Sequence, residues 1–213
     1  MNRILAIFFP PKCPYCSKLI RYDQTECLVC RASFPHTPRI SPIPSGEICI
    51  APFTYSGKFR KAILEFKFRN RKSNYESFSS AIVCAVKNVY EKDMDFEVVT
   101  CVPMSRDRIK ERGFNQSELI AKNVALHLKK PFEPLLYRDS GAPTQHTKSY
   151  NERISSKDNT FHAINKDKIK GRKILLIDDI MTTGMTLSAC CEVLEESGSE
   201  RILCATVAMH EKN

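Results

Sequence analysis

Ile174-Leu175-Leu176-Ile177-Asp178-Asp179-Ile180-Met181-Thr182-Thr183-Gly184-Met185-Thr186-Leu187 is the stretch whose reading decides the fold. Four consecutive aliphatic residues after Arg172-Lys173 read as a strand buried on both faces, the habit of a parallel sheet. The apolar run ends in two carboxylates, and a short loop of hydroxyls with one glycine follows. From Leu187 through Val193 and Leu194 to Gly198 the spacing predicts an amphipathic helix with a glycine stop. Strand, loop and helix make the βα unit of an α/β sheet, where ligands gather outside the carboxyl ends of the strands.

The chemistry follows from that placement. Thr182, Thr183 and Thr186 offer hydroxyl donors, and Gly184 lets the backbone approach a ligand or take a positive φ. Amides at a helix start are unpaired and carry the positive end of the dipole, which suits a phosphate. Two carboxylates beside an anion site would repel that anion unless they face something else, and vicinal sugar hydroxyls need acceptors. The stretch therefore predicts a sugar phosphate. Its 5′-phosphate would lie on Met181, Thr182, Thr183, Gly184, Met185 and Thr186, and its ribose hydroxyls on Asp178 and Asp179. A strand ending in exposed Asp with a threonine helix cap is the plainer alternative, but length, order and residue type weigh against it.

The same residues resemble the phosphoribosyl pyrophosphate (PRPP) signature of type I phosphoribosyltransferases, two hydrophobic-flanked acids followed by Thr-Thr-Gly-x-Thr. That resemblance implies an α/β fold with a parallel sheet flanked by helices and a flexible hood. It also implies Mg²⁺ accompanying PRPP.

A chain of 213 residues can bury a sizeable core, one α/β domain with a small appendage. A formal net charge of +9 points to an anionic partner, phosphate ligands or nucleic acid, although charge alone is also compatible with a generic basic protein. No apolar run is long enough to span a bilayer. Ile4 to Phe9 leads into Pro10-Pro11 and is too short for the apolar core of a signal peptide, so a cytoplasmic protein is expected.

Four of the ten cysteines pair as Cys13-Pro14-Tyr15-Cys16 and Cys27-Leu28-Val29-Cys30, ten residues apart. Two CxxC knuckles can close a tetrahedron of thiolates around zinc. Four thiolates leave no open position, so the metal would be structural. A thioredoxin-like redox reading lacks its βαβ context. The remaining cysteines, Cys49, Cys84, Cys101, Cys190, Cys191 and Cys204, read as buried free thiols of a reducing compartment. Pro35, Pro38, Pro42 and Pro44 then mark a stiff linker without regular structure. The expected division is a zinc ribbon over 1–34, a linker over 35–47 and the α/β domain over 48–213.

Ile48 to Tyr55 suggests a strand, and Gly57 opens a basic amphipathic helix with Phe59, Ile63 and Phe66 as its apolar stripe. Lys58, Arg60, Lys61, Lys67, Arg69, Arg71 and Lys72 are set against Glu65 alone. A solvated face and a nucleic-acid backbone contact are both compatible with that cluster. Phe68 and Tyr75 could add stacking, although aromatics at this spacing more often belong to a core. Ser77 to Tyr90 predicts a second helix, with Ile82, Val83, Val86 and Val89 inward. Phe96 to Val102 predicts a strand closed by Pro103. The stretch from Pro103 to Gln116 reads as a tight polar loop whose amides and arginines could grip a pyrophosphate, with Pro103, Met104, Ser105 and Arg106 as the candidates, or as an ordinary surface loop.

Arg112-Gly113-Phe114-Asn115-Gln116, following Val102-Pro103 and Arg106, resembles the RGFNQ signature of the ComF family, and Tyr55-Ser56-Gly57 with Lys67-Phe68 resembles its first-helix pattern. That family joins a four-cysteine element to a type I phosphoribosyltransferase domain. Its members are linked to DNA uptake in natural competence, handling incoming single-stranded DNA, so single-stranded DNA and other competence proteins are the partners implied. After a helix near Gln116 to Lys129, the polar segment from Arg138 to Phe161 takes the place of the hood. Gln145 and Arg153 match the family's Gln-x7-Arg, whereas Ser156 stands where Asn is usual. His146 is a tempting general base, but a lone loop histidine is more often solvated. Glu200 to Met209 predicts a last strand.

Three functions fit. The first is a PRPP-binding competence protein, the second a salvage phosphoribosyltransferase and the third a PRPP-sensing regulator without catalysis. The zinc element and basic helix, which salvage does not need, favour the first. No element that would recognise an acceptor base is identifiable.

Overall fold

The computed structural model describes residues 10–69, 71–90, 95–139 and 160–211. In chain order the elements are α1 (Leu28–Ala32), β1 (Arg39–Pro42), β2 (Ile48–Ala51), β3 (Phe53–Thr54), α2 (Gly57–Phe68), α3 (Asn74–Tyr90) and β4 (Val98–Cys101). There follow α4 (Arg106–Arg112), α5 (Gln116–Leu128), β5 (Leu136–Arg138), β6 (Phe161–Ala163), β7 (Lys173–Met181), α6 (Met185–Glu196) and β8 (Arg201–Met209).

β7 and β8 run side by side in the middle of the main sheet, in parallel register from Lys173↔Arg201 to Met181↔Met209. The sheet order is β1-β2-β8-β7-β4, with β3 also on β8. β4 joins β7 in parallel, and among the described strands of this sheet only β1 is antiparallel. The aliphatic run of β7 splits by strand alternation. Leu175 and Ile177 enter one apolar layer with Phe66, Phe78, Ile82 and Ile120 of α2, α3 and α5. Ile174 and Leu176 enter the other, with Leu187, Cys190, Cys191 and Leu194 of α6. Helices on both faces of a mostly parallel sheet explain why the run is unbroken by polar residues. Among the described residues no helix is long and apolar enough to cross a membrane.

Several elements differ from the sequence-based expectation. β7 runs on through both carboxylates to Met181, and α6 begins at Met185, so the loop shortens to Thr182-Thr183-Gly184. The strand expected from Ile48 to Tyr55 is broken at Pro52, which has no N–H for a ladder, into β2 and β3 along one edge of β8. Arg106 to Arg112 is a helix, not a loop. Segment 35–47 contains β1, paired with β2 from Arg39↔Ala51 to Pro42↔Ile48, so it is not devoid of regular structure. An edge strand is where proline is tolerated. Cys84 is exposed, unlike Cys49, Cys101, Cys190, Cys191 and Cys204.

The cysteine-rich head shares the main core. Tyr15 is buried, its hydroxyl lies 2.9 Å from Ser77 Oγ on α3, and its ring meets Phe34 and Phe59 edge-on at 5.0 and 5.5 Å. Desolvation pushes the Tyr15 hydroxyl well above its ordinary value. Aromatic pairs of this kind add about 0.5–1.5 kcal/mol each beyond burial.

Candidate functional site

The carboxyl ends of β4 and β7, the last turns of α2 and the start of α5 converge on a cavity of about 430 Å³. The RGFNQ segment builds one wall. Gly113 ends α4 in the left-handed conformation, φ 80°, and donates its N–H to Ile109 O at 2.7 Å. Phe114 then packs edge-on against Phe66 at 5.4 Å. Asn115 caps α5, accepting from the Ser117 and Glu118 amides, while its Nδ2 donates to Val102 O at 3.2 Å. The corner between β4 and α5 is thus fixed by one side chain. Gln116 is buried and accepts from Arg112 Nη1 at 3.5 Å.

That corner aims Ser117 at β7. Ser117 Oγ donates to Asp178 Oδ1 at 2.6 Å, and the Asp179 amide donates to the same oxygen at 2.8 Å. Burial, reinforced by the Asp179 charge, nevertheless pushes the Asp178 carboxyl up to about 7. Asp179 is buried and pairs with Lys67 Nζ at 2.9 Å. Both carboxylates line the cavity, as do Pro103, Met104, Arg108, Arg112, Arg138 and Tyr55. Burial and then the charge of Arg108 hold the Arg138 guanidinium below its ordinary value. Guanidiniums crowded in this way would be relieved by an anion between them.

Beside the cavity, Met181 to Thr186 surround a hollow of about 20 Å³, with Asp178, Thr182 and Thr186 lining both. Gly184 has φ 82°, and a Cβ there would lie 2.9 Å from Pro44 Cδ. The Ser45 amide donates to Ser188 Oγ at 3.1 Å, so the proline-rich segment buttresses this loop. Gly184→Ala should therefore cost about 1–3 kcal/mol in urea unfolding through forced backbone strain and displacement of Pro44. An unchanged midpoint would show that the loop yields without cost.

The other sequence-predicted residues divide. Ser105 and Arg106 do not line the cavity, whereas Arg108, two residues further along α4, does. Arg108, Arg138 and Ser117 were not singled out from the sequence, since none forms a motif with its neighbours. Lys67, grouped there with a basic outer surface, faces Asp179 instead. Arg71 pairs with buried Glu65 at 2.9 Å, and Lys72 Nζ sits 5.0 Å above the Phe114 ring. Lys58 is bonded to Ser33 Oγ and covers Phe59. Arg60 and Lys61 stay exposed on α2, and so does Arg69, the residue that caps its C-terminus. Gln145, His146, Arg153 and Ser156 lie outside the described residues.

The thiols of Cys13, Cys16, Cys27 and Cys30 all lie within 4.8 Å of one another, and Cys16 Sγ is 3.6 Å from Cys27 Sγ. The Cys30 amide donates to Cys27 Sγ at 3.4 Å and helps bring that thiol down to about 7. Four thiols converging at this spacing fit a tetrahedral metal, and the cluster could hold one such as zinc.

Helices on both faces of a parallel sheet, with paired acids and a Thr-Thr-Gly loop at its carboxyl edge, define a type I phosphoribosyltransferase domain. In agreement, the family described as "Phosphoribosyl transferase domain" matches residues 115–213. Competence protein ComFC of Bacillus subtilis is 30% identical over 186 residues, which cover 87% of this chain and 72% of the relative. The DNA utilization protein YhgH of Escherichia coli K12 is 25% identical over 209 residues, covering 92% of this chain and 90% of the relative. Among solved structures, the glutamine PRPP amidotransferase of B. subtilis aligns at 16% identity and a TM-score of 0.46, over 67% of this chain and 30% of its own. The chain belongs to the ComF family.

Proposed function

We propose that this protein binds PRPP, or a closely related sugar phosphate, with Mg²⁺ in the cavity at the end of β7 and handles single-stranded DNA during DNA uptake. The observation that carries the first half is the juxtaposition of Asp178 and Asp179 with three guanidiniums in one cavity, and of the Thr182-Thr183-Gly184 loop around the small hollow that adjoins it. In this reading Asp178 and Asp179 accept the ribose hydroxyls, and Met181 to Thr186 hold the 5′-phosphate. Pro103 and Met104, with Arg108 and Arg112 in place of Ser105 and Arg106, meet the pyrophosphate. Lys67 leaves Asp179 as the ligand enters. Mg²⁺ would neutralise pyrophosphate oxygens while keeping several waters. A phosphoribosyl transfer would pass through an oxocarbenium-like state, for which the acids and cations are suitably placed. Isothermal calorimetry with PRPP and Mg²⁺ tests the binding, and pyrophosphate release in a screen of nucleobases and nucleic acids tests for turnover.

The DNA half draws on the names of the relatives, competence protein ComFC and DNA utilization protein YhgH. It is also supported by Arg60, Lys61 and Arg69 on the exposed face of α2. Reversing the charge of Arg60 and Lys61 together should weaken single-strand binding and lower the salt slope by about 1.4, at roughly 0.7 per lost phosphate contact. An unchanged slope in fluorescence anisotropy would remove the α2 face from the DNA reading. A structural zinc on the four cysteines, a cytoplasmic location and a division into 1–34, 35–47 and 48–213 complete the proposal. Salvage of a small base is the second reading. It is less favoured because the exposed cations and the cysteine-rich head have no part in it.

A further inference from the structure

Phe68 closes α2 with 63% of its surface exposed, whereas Phe66 two residues earlier is fully buried. A lone exposed aromatic needs no explanation, but this one is backed by a cation and shared by two cavities. The Arg112 guanidinium lies 5.1 Å from its ring centroid. Phe68 and Leu64 line both the sugar-phosphate cavity and a second groove of about 350 Å³ along the outer face of α2. Arg60, Leu64 and Phe68 are spaced four residues apart, so they share one stripe of the helix. The groove carries Arg60, Lys61 and Arg69, while the carboxylate of Glu65 beside them pairs with Arg71 at 2.9 Å and with Arg69 at 4.0 Å. Among the described residues neither Arg60 nor Lys61 has an acidic partner. Arg60 instead lies 5.9 Å from the ring of Tyr55, which also lines the cavity.

A cationic groove that tracks a backbone, ending at an open aromatic face, is how single strands are held without reading their sequence. We propose that Phe68, backed by the Arg112 guanidinium, is a base-stacking platform on which one nucleobase of a single-stranded nucleic acid rests at the mouth of the sugar-phosphate cavity. The platform joins the two halves of the proposed function: phosphates lie along α2, and the stacked base faces the pocket that contains Asp178 and Asp179. The inference rests on the single-strand reading above and adds a position and a contact to it. Tyr75, the other aromatic suggested for stacking, is turned toward Glu76, at 3.3 Å from its Oε1, and packs against the core.

The test compares a fluorescein-labelled oligothymidylate of about 12 nucleotides with an abasic strand of the same length, which keeps the phosphates and removes the rings. Phe68→Ala should weaken the base-bearing strand by roughly 5- to 150-fold and leave the abasic strand unchanged, the range that loss of one stacked base produces. Phe68→Trp keeps an aromatic face and should retain affinity. Because the chain has no other tryptophan, its emission should be quenched as the strand binds. Equal effects of Phe68→Ala on both strands, or no effect on either, would overturn the platform. So would quenching of Phe68→Trp by free adenine but not by the strand, which would make the position an acceptor site for a small base. Wild-type affinity for the base-bearing strand is measured first, so a protein that binds no strand refutes the single-strand reading itself, distinguishably from a platform in the wrong place.

Discussion

Replacing Asp178 and Asp179 together by Asn should abolish the calorimetric signal for PRPP with Mg²⁺, while Asp178→Asn alone should make the folded protein more stable at pH 8. The first effect follows from the charge of the cavity. Arg108, Arg112 and Arg138 line it and, among the described residues, only Asp178 and Asp179 are acids there, so the double variant removes every described anionic group that could receive ribose hydroxyls or a metal. Loss of charge-assisted hydrogen bonds at about 1.5–3 kcal/mol each would weaken binding by several orders of magnitude for the pair. Undiminished heat on titration would show that the ligand lies elsewhere.

The second effect follows from what burial does to Asp178. Its carboxyl titrates at about 7, chiefly because it is desolvated and secondarily because Asp179 is adjacent, against the pull of Ser117 and the Asp179 amide. Between the unfolded value near ~3.9 and about 7, the folded chain holds a proton that the unfolded chain has released. Stability therefore falls as pH rises through that window. At pH 8 the full cost of a buried charge is present. Asn carries no charge, and its Oδ1 can still accept from Ser117 Oγ and the Asp179 amide. Asp178→Asn should gain about 1–2 kcal/mol at pH 8 and much less at pH 5, read from urea unfolding at both values. A variant less stable than the parent at pH 8 would mean that Lys67 and Ser117 more than offset the desolvation. Stability sacrificed at one residue that binding requires is the pattern expected of a functional site.

The central strand was legible because four aliphatic residues between Arg172-Lys173 and two acids admit few other readings, and β7 is buried as that run requires. Its carboxyl end was misjudged by four residues, since Asp178 and Asp179 look like loop residues until Ser117 and Lys67 supply their partners from distant elements. Lys67 shows the same limit from the other side. In the sequence it is one of seven cations around α2, and only the turn of the helix separates it from Arg60 and Lys61, sending it inward to Asp179. RGFNQ was recognisable as a motif, but its physical work, a glycine stop followed by an asparagine cap, depends on how β4 and α5 meet. β1 was hidden by Pro42 within it and Pro38 and Pro44 around it, since proline is excluded from the middle of a sheet but not from its edge.

Removing metal from the four-cysteine cluster should destabilise the whole protein rather than release an independent head. Cys13 and Cys30 are buried in the same apolar layer as Phe53, Phe66 and Phe78, and Tyr15 between the knuckle cysteines packs on Phe34, Phe53 and Phe59. Without a tetrahedral ion, the four sulfurs would be thiols with no bond to hold them within 4.8 Å of one another. The chain from Cys13 to Cys30 would then have too little regular structure of its own to keep Tyr15 in place, as α1 has only five residues. A buried aromatic cluster opened at that point should cost about 3–5 kcal/mol, and for a chain of this size each kcal/mol lowers Tm by about 2–4 °C. Chelator-treated protein and a Cys27→Ser/Cys30→Ser variant should therefore both melt roughly 6–20 °C below the parent in calorimetry. The parent should carry about one zinc per chain by elemental analysis. A metal-free native preparation with the same Tm would instead leave the cluster a set of packed thiols. The head would then be held by its packing on the shared core, through Tyr15, Phe34 and the buried Cys13 and Cys30, and not by zinc.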